Sequence, residues 1–305
     1  LRHFKTAACG ADTSAERRAQ ARALFGFNTY EDVNAAISAE KPDAVLVCSP
    51  PLSHAEIILE CIEKGLHVFC ELNLHADRYE EITRLAQAKN VTLFLSSTQL
   101  YRREIRAVAD CVTSVGGRVI YRYHVGQYLP DWHPWENFED FFAGAKETNG
   151  CREIFAIELP WLIDTFGEIE NIMVTKSKIS SLSVDYNDHY MVVIEHSIGH
   201  KGMLAVDIVS RKPVRNLEIF GEELYISWDG SAEGLKIFNI ESKKEEHINL
   251  YDEIDQLDEY SSFIIENAYY DEIVSFFTSV EHNNEPVYSF EKDKQVLEII
   301  DKIEE

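Results

Sequence analysis

Glu71, Leu72 and Asn73 follow the short apolar run Leu66–Cys70 in "LHVFCELNLHAD" (66–77). A carboxylate and a carboxamide at the end of a buried strand stand where open α/β sheets gather their chemistry. Glu71 can hold a hydroxyl or take a proton, or it can simply pair with a nearby cation. Asn73 can both donate and accept through its amide. Leu72 can do none of this, and no lysine, histidine or serine adjoins it. A second group, Arg152, Glu153 and Glu158, falls on one predicted helix. Arg152 has the fork that grips carboxylate or phosphate. Glu158, inside "IFAIELPWL", reads as a buried carboxylate whose pKa burial would raise, making it the leading candidate base. The plainer alternative for the trio is i,i+3 or i,i+4 pairing on a helix surface. The loop "GQYLPDWHPW" (126–135) adds Gln127, Trp132, His133 and Trp135. Such aromatic faces suit a sugar ring or a base, or they plug the loop into the core.

These side chains need a scaffold, and residues 5–115 alternate strand and helix signals. "KTAACGA" reads as a small-residue strand and "SAERRAQARALFG" as a helix closed by Gly26. "DAVLVCSP" is a continuously apolar strand of the type covered on both faces. Next come "SHAEIILECIEKG", with Ser53 as N-cap and Gly65 beyond its end, and the strand "LHVFC". The helix "DRYEEITRLAQAKN", the strand "VTLFLS" and the helix "REIRAVADCVTSV" complete the segment. This rhythm predicts a parallel, doubly wound sheet. Beyond Gly116-Gly117 it changes to a strand, the aromatic loop, a helix near 152–166, successive strands over 169–250, and two helices at 256–281 and 290–304. The expected organisation is a Rossmann-like domain over 1–116 and an α+β domain with a large, mostly antiparallel open sheet over 117–305.

The formal net charge of −24 argues against nucleic acid or an anionic membrane as partner. No apolar run approaches the roughly 20 residues of a membrane span. The six cysteines (9, 48, 61, 70, 111 and 151) include no C-x-x-C and no zinc spacing, so no metal site is expected and a reducing compartment, the cytoplasm, is.

Three stretches, "EKPDAVLVCSPPLSHAEIILECIEKGLHVFCELNL", "RYEEITRLAQAKNVTLFLSS" and "NGCREIFAIELPWLIDTFGEIENI", carry a resemblance. The chain resembles the glucose–fructose oxidoreductase, inositol dehydrogenase and rhizopine-catabolism (Gfo/Idh/MocA) family over nearly its whole length. The resemblance implies NAD as cofactor, NADP less so, and hydride transfer at a sugar, cyclitol or nucleotide-sugar hydroxyl or ketone. It also implies self-association through the open sheet. Asp12 then matches the acid that bonds the adenosine ribose and disfavours a 2′-phosphate, unless it merely caps the helix that follows. Cys48, Ser49, Pro50, His54, Glu71, Asn73 and Thr98 are implied to border the cofactor, with Arg152, Gln127, Trp132 and Trp135 toward the substrate.

The chain departs from that pattern in three places. No G-x-G-x-x-G turn is visible, and Leu1–Lys5 reads as the lead-in to the family's second strand, so about one strand and one helix are expected upstream. Leu72 replaces the lysine of Glu-Lys-Pro. The helix after "NG" yields no histidine in either alignment of its motif. The proton acceptor is therefore expected among Glu158, Glu153, His133 and Tyr101. The rival expectation is a non-catalytic nucleotide- or sugar-binding relative.

Overall fold

The computed structural model describes residues 4, 6–133, 136–256 and 263–305. Its first part is parallel α/β. Strand β1 (Gly10–Ala11) pairs with β2 (Thr29–Tyr30), and β3 (Ala44–Val47), β4 (His67–Cys70) and β5 (Leu93–Leu95) form a three-stranded parallel sheet in that order. Helices α1 (Ala15–Phe25), α2 (Val33–Glu40), α3 (His54–Glu63), α4 (Tyr79–Lys89) and α5 (Arg103–Ser114) connect and follow them. Ser14 caps α1, and Gly26, at φ 73°, ends it in the left-handed conformation that glycine adopts without a Cβ clash. Among the described residues of the predicted first strand, only the last two, Gly10 and Ala11, are strand. Ser53 stands at the N-cap position of α3 but makes no side-chain capping bond; it closes a 3-10 turn, Pro51–Ser53, that leads into the helix. β2 and the Asp32-capped α2 are elements the sequence reading passed over.

Both faces of the three-stranded sheet are covered, which explains its continuous apolar strands. Val68, Cys70 and Leu95 face the core shared with α3 and α4. Phe69 and Phe94 face the other way and pack on Phe276 of helix α7 (Glu266–His282), with ring centroids 5.6 and 5.7 Å away. The end of the chain therefore completes the first sheet. The last helix, α8 (Phe290–Glu304), lies against α4 and α6 (Gly150–Phe166).

The second sheet has eight strands: β6 (Ile120–Gly126), β7 (Ile169–Ser177), β8 (His189–His196), β9 (Lys201–Asp207), β10 (Val214–Phe220), β11 (Tyr225–Trp228), β12 (Lys236–Asn239) and β13 (Lys244–His247). Their order is β13-β12-β11-β10-β6-β9-β8-β7, antiparallel except for the β6–β9 pair. One face buries Tyr121, Tyr123, Leu204 and Ile219 in the core that contains Trp161 and Phe166 of α6. Gly202 lets the Tyr121 ring cross β9; a Cβ there would lie 2.0 Å from it. The opposite face leaves Met173, Met191, Val193 and Met203 exposed. Among the described residues, no helix is long and apolar enough to cross a membrane.

Candidate active site

The carboxyl ends of the parallel strands carry Asp12, Cys48-Ser49-Pro50, Glu71 and Ser96-Ser97-Thr98. Asp12 Oδ1 accepts from Ser14 N at 2.7 Å, and Arg18 donates to the Asp12 carbonyl at 2.6 Å. Asp12 does not cap α1, which Ser14 does; it closes the turn before that helix, at the strand end. Glu71 continues the β3–β4 ladder through its N–H to Val47 O at 3.0 Å. Burial raises its carboxyl above the usual range, partly offset by His54. Burial and the Glu71 charge push the Cys48 thiol up to about 12, so it is no nucleophile at neutral pH.

His54 is buried and works as a clamp. Nδ1 lies 2.6 Å from Asn73 Oδ1, and Nε2 lies 2.6 Å from Ser49 O. It ties the end of β3 to the end of β4, a role that neither a solvent-facing helix start nor a ligand contact describes. Behind it a cavity of about 10 Å³, lined in part by His54, Asn73, His75 and Tyr79, has room for one water.

Glu158 is buried, as its apolar setting implied, but its carboxylate is already partnered. It is fully buried between α6 and the large sheet, where Tyr123 and Trp161 each donate to Oε2 at 2.7 Å and Arg215 donates to Oε1 at 2.6 Å. Its oxygens are taken by three donors, one cationic, which suits an internal ion pair and leaves little for a reacting hydroxyl. Arg152 is committed too. Its guanidinium bonds Leu74 O at 2.7 Å, Asp301 at 2.8 Å and Glu304, fastening α6 to α8 and to the loop after β4. Such a staple has no fork left for a substrate. Tyr101 is a core residue that donates to Ser275 of α7 at 3.2 Å, and burial pushes its hydroxyl up to about 12. Trp132 bonds Gln127 O at 3.2 Å and packs over Gly150, so the loop plugs itself into the core there. His133 pairs with Glu136 at 2.6 Å and rests on the Phe141 ring. Trp135 lies outside the described residues.

Glu153 is the member of the helix trio that remains available. Its Oε2 is buried without a hydrogen-bond partner, and burial together with the Glu71 charge pushes its carboxyl up to about 8. Glu272, on α7, was missed from the sequence. It accepts from Ser96 Oγ at 3.0 Å, Ser97 N at 2.7 Å and Thr98 Oγ1 at 2.8 Å, and burial, aided by Glu71, holds it at about 7. A carboxylate within the apolar stripe of "AYYDEIVSFF" was its signal. Glu71, at the end of β4, acts on the carboxyls of both Glu153 and Glu272, and all three are raised, a perturbed grouping of the type found at functional sites. Such a set can accept protons near neutral pH and bind donors.

A parallel sheet with an acid-lined carboxyl edge, joined to a large and mostly antiparallel sheet, is a Rossmann-type fold with a second, open-sheet part. Residues 2–97 match the model of the oxidoreductase family with an NAD-binding Rossmann fold (GFO_IDH_MocA). Over that stretch the chain is similar to the Gfo/Idh/MocA family, in line with the resemblance of its motifs. A myo-inositol 2-dehydrogenase of Thermotoga maritima is 35% identical over 88 residues, 27% of this chain and 25% of that protein. An uncharacterized oxidoreductase of Schizosaccharomyces pombe is 22% identical over 216 residues, 68% of this chain. The chain spans 25% and 56% of the lengths of these two relatives. A levoglucosan dehydrogenase in complex with NADH and levoglucosan shares the fold, with a TM-score of 0.75 at 20% identity, over 97% of this chain and 86% of that one.

Proposed function

We propose that the protein is an NAD-dependent oxidoreductase of a sugar, cyclitol or nucleotide-sugar hydroxyl, or of the matching ketone, with Glu153 as proton acceptor. The carrying observation is the buried, unpartnered Glu153 Oε2 beside the elevated Glu71 carboxyl. Bound NAD would supply the hydride acceptor. Asp12 suits the adenosine ribose hydroxyls. Glu71 and Thr98, with the Cys48–Pro50 turn that His54 pins, suit the ribose and ring nearer the chemistry. Glu153 takes the hydroxyl proton as the hydride leaves and holds it at Oε2; the reverse reaction returns it. Arg152 and Glu158 act at a distance, by fixing α6 and so the position of Glu153. The test is NADH formation at 340 nm across a panel of sugars, cyclitols and nucleotide sugars. Turnover abolished in Glu153→Gln but retained in Glu158→Gln supports this assignment; the reverse pattern returns the role to Glu158.

The second reading is a non-catalytic nucleotide or sugar binder. Leu72 supports it, since it stands where the family carries an ionisable lysine. Binding of NAD and sugar with no turnover over the whole panel would select it. Six free cysteines fit a reducing compartment such as the cytoplasm. The exposed Met173, Met191, Val193 and Met203 face supports a homo-oligomer, which sedimentation of the full chain would test.

A further inference from the structure

Glu272 of α7 is tied to the end of β5 by three hydrogen bonds whose directions are not equivalent. Oε1 accepts from Ser96 Oγ at 3.0 Å and from Ser97 N at 2.7 Å, and Oε2 accepts from Thr98 Oγ1 at 2.8 Å. The Ser97 N–H is fixed by the backbone and can only donate, so Oε1 stays an acceptor. Glu272 is 1% exposed, so solvent does not compete for these bonds. The bond that can reverse is the one between Oε2 and Thr98. A carboxylate takes the Thr98 proton and leaves that hydroxyl its lone pairs. A carboxylic acid with its proton on Oε2 donates to Thr98, whose own proton is then free to point elsewhere.

Thr98 is the member of this turn that a ligand can reach. Ser96 and Ser97 are buried, whereas Thr98 is half-buried at the carboxyl edge of the sheet. Ser97 Oγ and Gln99 Oε1, on the same turn, are buried without partners among the described residues, so the turn has hydrogen bonds still to make. Phe276, one helical turn beyond Glu272, packs on Phe69 and Phe94, and Ser275 accepts from Tyr101 at 3.2 Å. α7 therefore holds Glu272 at this place.

We propose that Glu272 is a positioning residue that sets the polarity of the Thr98 hydroxyl: as a carboxylate it holds the Thr98 proton and makes Oγ1 an acceptor for a hydroxyl or amide N–H of the bound dinucleotide. The proposal rests on the oxidoreductase reading for NAD as the ligand alone. Burial raises the Glu272 carboxyl to about 7, so both of its forms are populated near neutral pH. The titratable groups within its field are Glu71 at the end of β4, Tyr101 on the turn and Tyr269 on α7. Both phenols are pushed up to about 12 and stay neutral in this range.

The test is calorimetric titration of the full chain with NAD, wild type against Glu272→Gln, near pH 5.5 and near pH 8.5. Gln keeps its oxygen on Ser96 and on the Ser97 N–H, so its amide nitrogen faces Thr98 and donates to it. It therefore fixes the polarity of the protonated form at every pH. The two proteins should bind NAD alike near pH 5.5, and wild type should bind about three- to tenfold tighter near pH 8.5, the scale of one net hydrogen bond. Glu71 and Glu153 are common to both proteins and cancel in the ratio. In a Thr98→Val background the difference between Glu and Gln should vanish. A ratio that is the same at both pH values, or that survives in Thr98→Val, overturns the proposal, because a merely structural Glu272 behaves in that way. Should Glu272→Gln fail to fold, the affinity ratio of wild type to Thr98→Val must still grow from the lower pH to the higher, and a constant one overturns the proposal. Wild type that binds no NAD overturns this proposal and the redox reading together. A pH-dependent ratio without NADH formation from any sugar sinks only the redox reading, and NADH formation with a constant ratio sinks only this one.

Discussion

Replacing Glu153 by Gln separates stability from activity in opposite directions. In the folded chain the carboxyl titrates at about 8 against an ordinary 4.5. Folding therefore strengthens proton binding. The carboxyl's contribution to stability is complete below about pH 4.5 and is lost as pH rises through about 8. At about 1.4 kcal/mol per tenfold, the loss approaches 5 kcal/mol in a dry site. Oε2 is buried but the residue as a whole is only half-buried, and water beside it reduces this to about 2 kcal/mol. Gln keeps the shape and has no charge to desolvate. Glu153→Gln should thus match wild type near pH 5 and exceed it by about 2 kcal/mol at pH 9, read from urea midpoints at both pH values. Turnover should fall by about 10²–10⁴ in the same protein. A stability difference that does not change with pH, or a variant less stable at pH 9, would refute the argument that Glu153 is a buried, uncompensated carboxyl.

Glu158→Gln should instead cost about 3–5 kcal/mol, because Arg215 is left buried without its counter-charge. Adding Arg215→Met should recover most of that loss in the same denaturation assay. Asp12→Ala should raise NADP affinity relative to NAD in a fluorescence titration; an unchanged ratio removes Asp12 from cofactor choice. Asp293, buried and held by Tyr79 and Tyr288, titrates at about 6 against 3.8 because of burial. Its contribution is lost as pH rises from about 4 through about 6, so Asp293→Asn should flatten the pH dependence of thermal stability there and leave the variant relatively more stable above pH 6.

The first sheet was legible because its strands are apolar on both faces and its helices carry 3.6-residue periodicity. Strand β2 was not, since two residues give no period, though Asp32 announced the helix behind it. Glu71 and Glu153 could be marked as candidates from residue type and position alone. Their relation could not, because it depends on how α6 lies across the strand edge, a contact between residues far apart in sequence. Glu158 shows the limit of inferring function from an apolar setting. Burial was read correctly, yet the partner that fixes its role, Arg215, lies 57 positions away on β10. Arg152 failed for the same reason, its acids lying at the chain's end. Glu272 was visible as a charge within an apolar stripe, but nothing local says which strand end it serves.

The packing of α7 on Phe69 and Phe94 has a consequence for biosynthesis. The first parallel sheet emerges from the ribosome early, but the helix that covers its second face is made almost 200 residues later. At roughly 5–20 residues per second, that apolar face waits about ten seconds or more for its cover. The nascent protein passes through a state with an aromatic surface open to water, the kind of surface chaperones bind and neighbouring chains stick to. Truncation before residue 266 would make that state permanent, so the final forty residues decide whether the earliest part of the chain stays soluble.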